Sequence, residues 1–179
     1  AEKEIPVRMK DIHTDAVASG LGAAYKVLSK KKVKRIINQT EMDRKFGMIS
    51  GTTDYRGFRH ADLVVEAVIE KMEIKKQVLS EAEGEISPKT IFATNTSSLS
   101  VTELAKASGR PDKVVGMHFF NPVDKMPLVE VIRGEQTSDE TVATVVAFSK
   151  KLGKTPIVVK DREGFLVNRI LMPYLNEGA

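Results

Sequence analysis

The segment Val114–Phe120 is an apolar run interrupted by one histidine, and it ends at the pair Asn121-Pro122. A short apolar run bounded by a turn signal is typical of a buried strand. Proline has no N–H to donate and forces the preceding residue into extended geometry, so we expect the strand to end there. His118 therefore lies near the carboxyl end of a strand, the edge where open α/β sheets place their ligand crevice.

A second apolar run, Leu128–Ile132, contains a single acid, Glu130. Burying a carboxylate costs free energy unless the group finds a partner, and His118 is the nearest candidate in the sequence. An imidazole that is held by a carboxylate is a poised general base. Either residue alone is more often a satisfied core or surface residue. We therefore predict a His118–Glu130 pair.

Strand and helix patterns alternate along the chain, which predicts an α/β fold. The run Asp62–Val68 is apolar with one acid, as in a parallel strand that is buried on both faces. Pro88 breaks one predicted helix, and Gly153 is the expected C-cap of another. The predicted strands are 7–11, 49–53, 62–68, 90–94, 114–120, 128–132 and 155–160, and the predicted helices are 15–35, 41–48, 71–85, 101–107, 138–152 and 165–176.

The amino-acid composition indicates a globular protein without disulfides or a membrane-spanning helix. A chain of 179 residues with 41% hydrophobic residues can bury one sizeable core. It contains no cysteine, so disulfides and thiolate metal sites are excluded, and we expect no metal site. No apolar run approaches the ~20 residues of a membrane span. The acidic, proline-containing start is unlike a signal peptide, and we expect a cytoplasmic location.

The net charge of +4 comes largely from the basic segment Lys30–Arg35. Such a run is usually a solvated helix end, where cations interact favourably with the helix dipole. A phosphate-bearing partner is the alternative that the charge leaves open. No aromatic platform or recognised binding motif accompanies the lysines, so we do not expect a nucleic-acid partner.

Gly20 and Gly22 invite comparison with a phosphate-binding loop. Such a loop needs its glycines in the turn between a strand and a helix, whereas these two lie inside a predicted helix. No third glycine follows at the required spacing. We interpret both as positions of close packing.

Four motifs occur in one order with characteristic spacing: Asn95-Thr96-Ser97-Ser98, Gly116–Pro122, Leu128–Ile132 and Phe165–Arg169. Together they resemble the L-3-hydroxyacyl-CoA dehydrogenase family. The similarity covers nearly all 179 residues, and the segments Ile49–Phe58 and Asp124–Glu130 resemble the bacterial multifunctional members of the family. It implies a Rossmann-like, doubly wound, mostly parallel sheet and NAD as cofactor. It also implies oxidation of (S)-3-hydroxyacyl-CoA to 3-oxoacyl-CoA in fatty-acid β-oxidation.

The resemblance also implies a role for individual residues of the reaction site. His118 takes the hydroxyl proton, and Glu130 orients the imidazole and stabilises the imidazolium. Ser97 and Asn168 hold the reacting oxygen of the substrate. Asn121, together with Ser97, lies on the nicotinamide side.

Three further residues are expected to contact the cofactor. Asp11 ends a strand that matches the second strand of a nucleotide-binding βαβ unit, where an acid accepts from the ribose hydroxyls. Capping of the next helix is its ordinary alternative, but Thr14 and Asp15 can fill that role. Glu70 matches a family residue near the nicotinamide ribose, and Lys75 matches another cofactor contact. Their alternative is an ion pair in the first turn of a helix.

The resemblance divides the chain into an NAD-binding domain, residues 1–162, and the start of a C-terminal helical domain, residues 163–179. Few residues precede the strand of Asp11, so we expect the first strand and the glycine-rich loop to be missing and the isolated chain to be inactive. The missing first strand is central in a doubly wound sheet. Without it, we expect the chain to close the sheet, to rearrange its first residues, or to pair an exposed strand edge with another chain.

The sequence is also compatible with two other functions. A non-catalytic binding or assembly module on a dehydrogenase scaffold is the principal alternative. A 6-phosphogluconate-type enzyme is a third, which the His-Phe-Phe-Asn-Pro run disfavours. For a catalytic parent, the resemblance implies a homodimer or a complex with a thiolase subunit.

Overall fold

The computed structural model describes residues 3–177 and consists of two compact units. The first unit ends at Arg59 and the second begins at His60. Strands and helices make up both units, so the expected α/β class is confirmed. Across the described range, no helix has both the length and the apolar character needed to cross a lipid bilayer.

The first unit packs helices on a pair of parallel strands. Its elements are β1 (Val7–Lys10), α1 (Thr14–Val33), α2 (Gln39–Gly47) and β2 (Ile49–Thr52). Val17 and Leu28 of α1 are buried, and the helix is amphipathic in the usual way of surface helices. A capping box starts α2, in which the Asn38 side chain accepts from Glu41 N–H and the Glu41 carboxylate accepts from Asn38 N–H.

The two glycines of α1 behave differently from each other. A Cβ at Gly20 would lie 2.6 Å from Met9 Sδ, so the expected close packing is confirmed at this position. The same expectation is wrong for Gly22. Among the described residues, no atom beyond its own helical neighbourhood lies within 4 Å of the point where its Cβ would stand.

The second unit is a five-stranded sheet with helices, in the order β3-β4-β5-β6-β7. Its elements are β3 (Leu63–Glu66), α3 (Met72–Glu85), β4 (Ile91–Thr94), α4 (Val101–Ala105), β5 (Val114–Phe119), β6 (Leu128–Arg133), α5 (Asp139–Lys151), β7 (Thr155–Lys160) and α6 (Val167–Glu177), with a 3-10 turn at Pro111–Lys113. Another 3-10 turn, Phe58–His60, includes the last residues of the first unit and the first residue of the second. Only the β5–β6 pairing is antiparallel within this sheet, so the expected mostly parallel sheet is confirmed. The connection at residues 120–127 is shorter than the dozen or so residues of a parallel crossover.

The two faces of this sheet carry different side chains because they alternate along each strand. One face buries Ala93, Val115, Met117, Val129 and Val131 against α5. The other face carries Gly116 and its neighbour across the strand pair, Ile132. A Cβ at Gly116 would lie 3.0 Å from Val101 Cγ2, so glycine lets α4 approach closely. His118 and Glu130 fall on this second face by the same alternation.

The burial expected for β3 is wrong in part. Glu66 is buried, but Val65 is 42% exposed. The reason is that β3 lies at the edge of its sheet, with β4 as its only neighbour in residues 3–177. In the same described range β1 pairs with β2 alone, so closure into one sheet, which was one of the three expected alternatives, is not observed.

Candidate active site

His118 and Glu130 lie opposite each other on the antiparallel strands β5 and β6. His118 Nδ1 is 2.8 Å from Glu130 Oε2, and both side chains are buried. The sequence-based expectation of a His–Glu pair is therefore confirmed. This contact favours the tautomer that carries its proton on Nδ1 and leaves the Nε2 lone pair as an acceptor. Phe120 and Phe165 flank the imidazole, with ring centroids 4.5 and 6.0 Å from it.

The other oxygen of Glu130 is held by backbone. Glu130 Oε1 accepts from the N–H groups of Leu166 and Val167 at 3.0 and 2.9 Å. Val167 is the first residue of α6 and Leu166 directly precedes it, so the partial positive charge of a helix N-terminus also faces the carboxylate. The sequence alone did not predict this contact. With three hydrogen bonds, a fully buried carboxylate is satisfied.

The Glu70 carboxylate accepts hydrogen bonds from the turn that follows β4. Its Oε1 accepts from Thr96 Oγ1 at 2.5 Å, from Ser97 N–H at 2.8 Å and from Ser98 N–H at 3.2 Å. Burial raises the pKa of the Glu70 carboxyl, but the bonds from Thr96 and Ser97 and the Lys75 ammonium outweigh burial and lower that pKa to about 2. Glu70 is therefore ionised at neutral pH and fixes the backbone around Ser97.

Lys75 is buried in α3 between two carboxylates. Its Nζ lies 2.8 Å from Glu66 Oε1 and 3.3 Å from Glu70 Oε2. The ion pair considered for Glu70 and Lys75 is thus present, and Lys75 is only 1% exposed. Glu66, which sequence reasoning missed, also accepts from Val68 N–H and Thr94 Oγ1. A lone acid in an apolar strand was the available signal, the same one that identified Glu130.

Three asparagines lie near the carboxyl ends of β4 and β5. Asn168 Nδ2, in the first turn of α6, donates to the Ser97 carbonyl at 3.1 Å. Asn121 is exposed and precedes Pro122 across a cis peptide bond. Asn95 was not predicted as a site residue. Its Oδ1 accepts from Phe119 N–H at 2.9 Å, next to His118, and so fixes the end of β5.

Asp11 lies in the first unit, directly after β1, and its backbone N–H donates to Thr52 at the end of β2. Its carboxylate is exposed, and Oδ1 accepts from Ile12 N–H at 2.7 Å. The expectation that Thr14 or Asp15 caps α1 is wrong. His13 is the N-cap residue, and its side chain makes no capping hydrogen bond. Thr14 is already the first residue of the helix, so its hydroxyl comes too late to cap it.

Within each unit, considered by itself, there are groups that fit part of the chemistry of a dinucleotide cofactor. The exposed Asp11 and the partly exposed Glu70 are carboxylates at strand ends, and ribose hydroxyls need acceptors of this kind. The His118 pair adds a proton acceptor on the sheet face of the second unit. Residues 3–177 contain no group of three or more His, Cys, Asp or Glu side chains arranged to hold a metal ion.

Comparison with known proteins is consistent with this chemistry. Residues 1–162 match the family model described as the NAD-binding domain of 3-hydroxyacyl-CoA dehydrogenase. The whole chain is 50% identical to the fatty acid oxidation complex subunit alpha of Vibrio vulnificus, of which it covers 25%. Over 176 residues, 98% of the chain, it is 52% identical to the corresponding subunit of Shewanella amazonensis, again covering 25%.

Solved structures give the same result. The (S)-3-hydroxybutyryl-CoA dehydrogenase of Ralstonia eutropha superposes with a TM-score of 0.95 at 43% identity, covering 98% of this chain and 62% of that one. The Escherichia coli 3-hydroxybutyryl-CoA dehydrogenase gives 0.95 at 32% identity, covering 98% and 37%. The chain thus spans about a quarter of its curated relatives and less than two thirds of these structures. The chain belongs to the family of 3-hydroxyacyl-CoA dehydrogenase NAD-binding domains.

Proposed function

We propose that this chain provides the NAD-binding domain and the proton-transfer dyad of an enzyme that oxidises (S)-3-hydroxyacyl-CoA to 3-oxoacyl-CoA. The observation that carries the proposal is the buried His118–Glu130 pair, at 2.8 Å, within a domain of the NAD-binding family. Oxidation of a secondary alcohol requires a base for the hydroxyl proton, and an imidazole serves near neutral pH.

In the proposed reaction His118 Nε2 accepts the proton of the substrate hydroxyl, because Nδ1 is committed to Glu130. The imidazolium that forms is stabilised by the Glu130 carboxylate at the other ring nitrogen. A positioned base of this kind contributes roughly 10²–10⁴-fold to the rate. NAD, when bound, supplies the hydride acceptor.

The remaining site residues bind and orient. Ser97 Oγ and the Asn168 amide hold the substrate oxygen, and the bond from Asn168 to the Ser97 carbonyl supports this pairing. Asn121 and Ser97 contact the nicotinamide side. Asp11 and Glu70 accept from ribose hydroxyls. Lys75 is buried between Glu66 and Glu70, so its side chain is not free to touch the cofactor, and we propose that it acts on the cofactor through Glu70.

We also propose the domain boundaries, the assembly and the location of the protein. We propose residues 1–162 as the cofactor domain and residues 163–179 as the start of a helical domain. We propose that the parent protein is a homodimer or assembles with a thiolase subunit. The Vibrio and Shewanella relatives are subunits of fatty acid oxidation complexes, which supports an assembly with another subunit. A 3-hydroxyacyl-CoA is the proposed substrate. We propose a cytoplasmic location, with which a sequence that contains no cysteine is compatible.

A chimera tests the activity directly. Residues 1–179 replace the matching segment of the Vibrio vulnificus subunit, to which they are 50% identical. The purified chimera is supplied with a 3-hydroxyacyl-CoA and NAD, and NADH formation is followed by its absorbance. We expect turnover, and we expect His118→Ala to lower it by roughly 10²-fold or more.

The matched control is His60→Ala, which removes an exposed histidine outside the site. A folded chimera that forms no NADH, while the parent Vibrio protein is active, would refute the proposed activity. Equal rates for the His118→Ala and His60→Ala variants would refute the role of His118.

A further inference from the structure

Glu130 contacts two parts of the protein with its two oxygens. Oε2 faces His118 Nδ1 at 2.8 Å, and Oε1 accepts from Leu166 N–H and Val167 N–H at 3.0 and 2.9 Å. Glu130 is fully buried, so water does not reach either oxygen. Which way the carboxylate plane turns is therefore decided by these protein donors alone.

The backbone conformation of the turn before α6 directs the two N–H groups toward Glu130. Gly164 and Phe165 both have left-handed backbones, with φ of 71° and 49°. Glycine adopts this geometry easily, whereas a bulky side chain rarely does. Phe165 is nonetheless buried and flanks His118. A strained residue persists where its surroundings enforce it, and such positions cluster at functional sites.

The first turn of α6 also contacts the other side of the site. Asn168, one residue after Val167, donates to the Ser97 carbonyl at 3.1 Å. One helical turn thus contacts both the carboxylate that holds His118 and the turn that carries Ser97.

We propose that the backbone N–H groups of Leu166 and Val167 are positioning groups, which fix Glu130 Oε1 so that Oε2 faces His118 Nδ1. His118 is then kept with its proton on Nδ1 and with Nε2 as the acceptor. The dyad is completed by residues 164–168 and not by the sheet alone. The inference rests on the proposed function for its catalytic consequence, but the effect on the imidazole is independent of turnover.

Proline at position 167 tests the inference. Val167 is the first residue of α6, where proline is well tolerated, and the substitution removes one of the two N–H donors. The reference variant is Val167→Ala, which shortens the side chain and retains the N–H. Asp139→Pro, at the first position of α5, controls for introducing a proline at a helix start.

The primary readout is the ¹⁵N NMR spectrum of the His118 ring in the chain itself, with His13 and His60 as internal references. In wild type and Val167→Ala we expect one tautomer, protonated at Nδ1. In Val167→Pro we expect a mixture of tautomers and faster hydrogen exchange at Leu166 N–H. Amide shifts of α6 establish that the helix remains folded. If Val167→Pro unfolds α6, replacing Val167 by its α-hydroxy acid removes only the N–H.

The second readout uses the chimera. Relative to Val167→Ala, we expect Val167→Pro to lower kcat by roughly tenfold and to leave the KM for NAD unchanged. Identical His118 spectra and identical kcat in the two variants, with α6 folded, would overturn the inference. An inactive chimera whose His118 spectrum still responds to Val167→Pro would support the positioning role and refute the proposed function instead.

Discussion

Lys75 Nζ lies 2.8 Å from Glu66 Oε1, and neither side chain is more than 1% exposed. A buried ion pair often contributes little net stability, because desolvation offsets much of the attraction. Removing one partner is different, since it leaves a buried charge without compensation. Glu70 shares the ammonium from the partly exposed side. The cluster therefore couples the interior of the second unit to the turn that carries Ser97.

Lys75→Met should strongly destabilise the second unit. Glu66 would keep its bonds from Val68 N–H and Thr94 Oγ1 but lose its counter-charge. We expect the free energy of unfolding in urea to fall by about 3–5 kcal/mol. The double variant Glu66→Gln/Lys75→Met removes both charges and should recover part of that loss.

Lys76→Met is the matched control for Lys75→Met. Its ammonium is 3.8 Å from an exposed Glu73, and such pairs contribute little. We expect a change within about 0.5 kcal/mol. A Lys75→Met variant as stable as Lys76→Met would contradict the buried-charge argument.

Glu70 should make stability depend on pH in the acid range. Its pKa is about 2 in the folded protein and 4.5 without the fold. Because the folded-state pKa is the lower one, the stabilisation is complete above pH 4.5 and is lost as the pH falls toward 2. Thr96→Val removes the Oγ1 donor and should raise the pKa of Glu70, which shrinks this loss.

The measurement is the free energy of unfolding against pH for wild type and Thr96→Val. Thr96 Oγ1 also accepts from Leu99 N–H, so a pH-independent loss of stability is expected as well. The informative quantity is the slope in the acid range, which should be shallower in the variant. Thr144→Val, on the exposed side of α5, should keep the wild-type slope. Parallel curves for all three proteins would exclude the Thr96–Glu70 bond as the cause.

Local signals in the sequence predicted most of the fold. Apolar runs and their turn residues located, to within a few residues, the seven strands and six helices found in residues 3–177. The His118–Glu130 pair was also predictable, because a buried acid needs a partner and the two residues lie in neighbouring runs. The exposure of Val65 was not, since it depends on β3 being an edge strand, which is a property of the sheet.

The contacts that complete the site were not predictable for a related reason. Glu130 Oε1 binds the backbone of Leu166 and Val167, and backbone donors leave no mark in the amino-acid sequence. Their direction depends on the left-handed conformation of Phe165, a residue type that gives no hint of it. The ion pair of Glu66 with Lys75 joins a strand to the following helix, and the apolar pattern of β3 predicts burial of the strand without identifying a partner in α3.

Glu130→Gln in the chimera should lower kcat far more than it weakens NAD binding. A carboxamide can occupy the same space, but it cannot stabilise the imidazolium as a carboxylate does. We expect kcat to fall by roughly 10²-fold and the dissociation constant for NAD to change by less than about threefold. Glu140→Gln, at an exposed site on α5, should match the unsubstituted chimera. An unchanged kcat in Glu130→Gln would remove Glu130 from the proposed dyad.

Asp11→Ala should weaken NAD binding and relax the preference for NAD over NADP. The Asp11 carboxylate is exposed at the end of β1, and its Oδ1 accepts a local hydrogen bond from Ile12 N–H. An acid at this position accepts from the ribose hydroxyls and repels a 2′-phosphate. A hydrogen bond to a charged group contributes about 1.5–3 kcal/mol, so we expect the dissociation constant for NAD to rise by roughly 10- to 100-fold.

The selectivity is measured in the chimera as the ratio of kcat/KM for NAD to kcat/KM for NADP. That ratio should be large for the unsubstituted chimera and should fall by at least about tenfold in Asp11→Ala, since the variant loses an attraction for one cofactor and a repulsion of the other. Asp43→Ala removes an exposed carboxylate from α2 in the same unit and should leave the ratio unchanged. Equal use of NAD and NADP by the unsubstituted chimera would show that Asp11 does not select between the ribose hydroxyl and the 2′-phosphate.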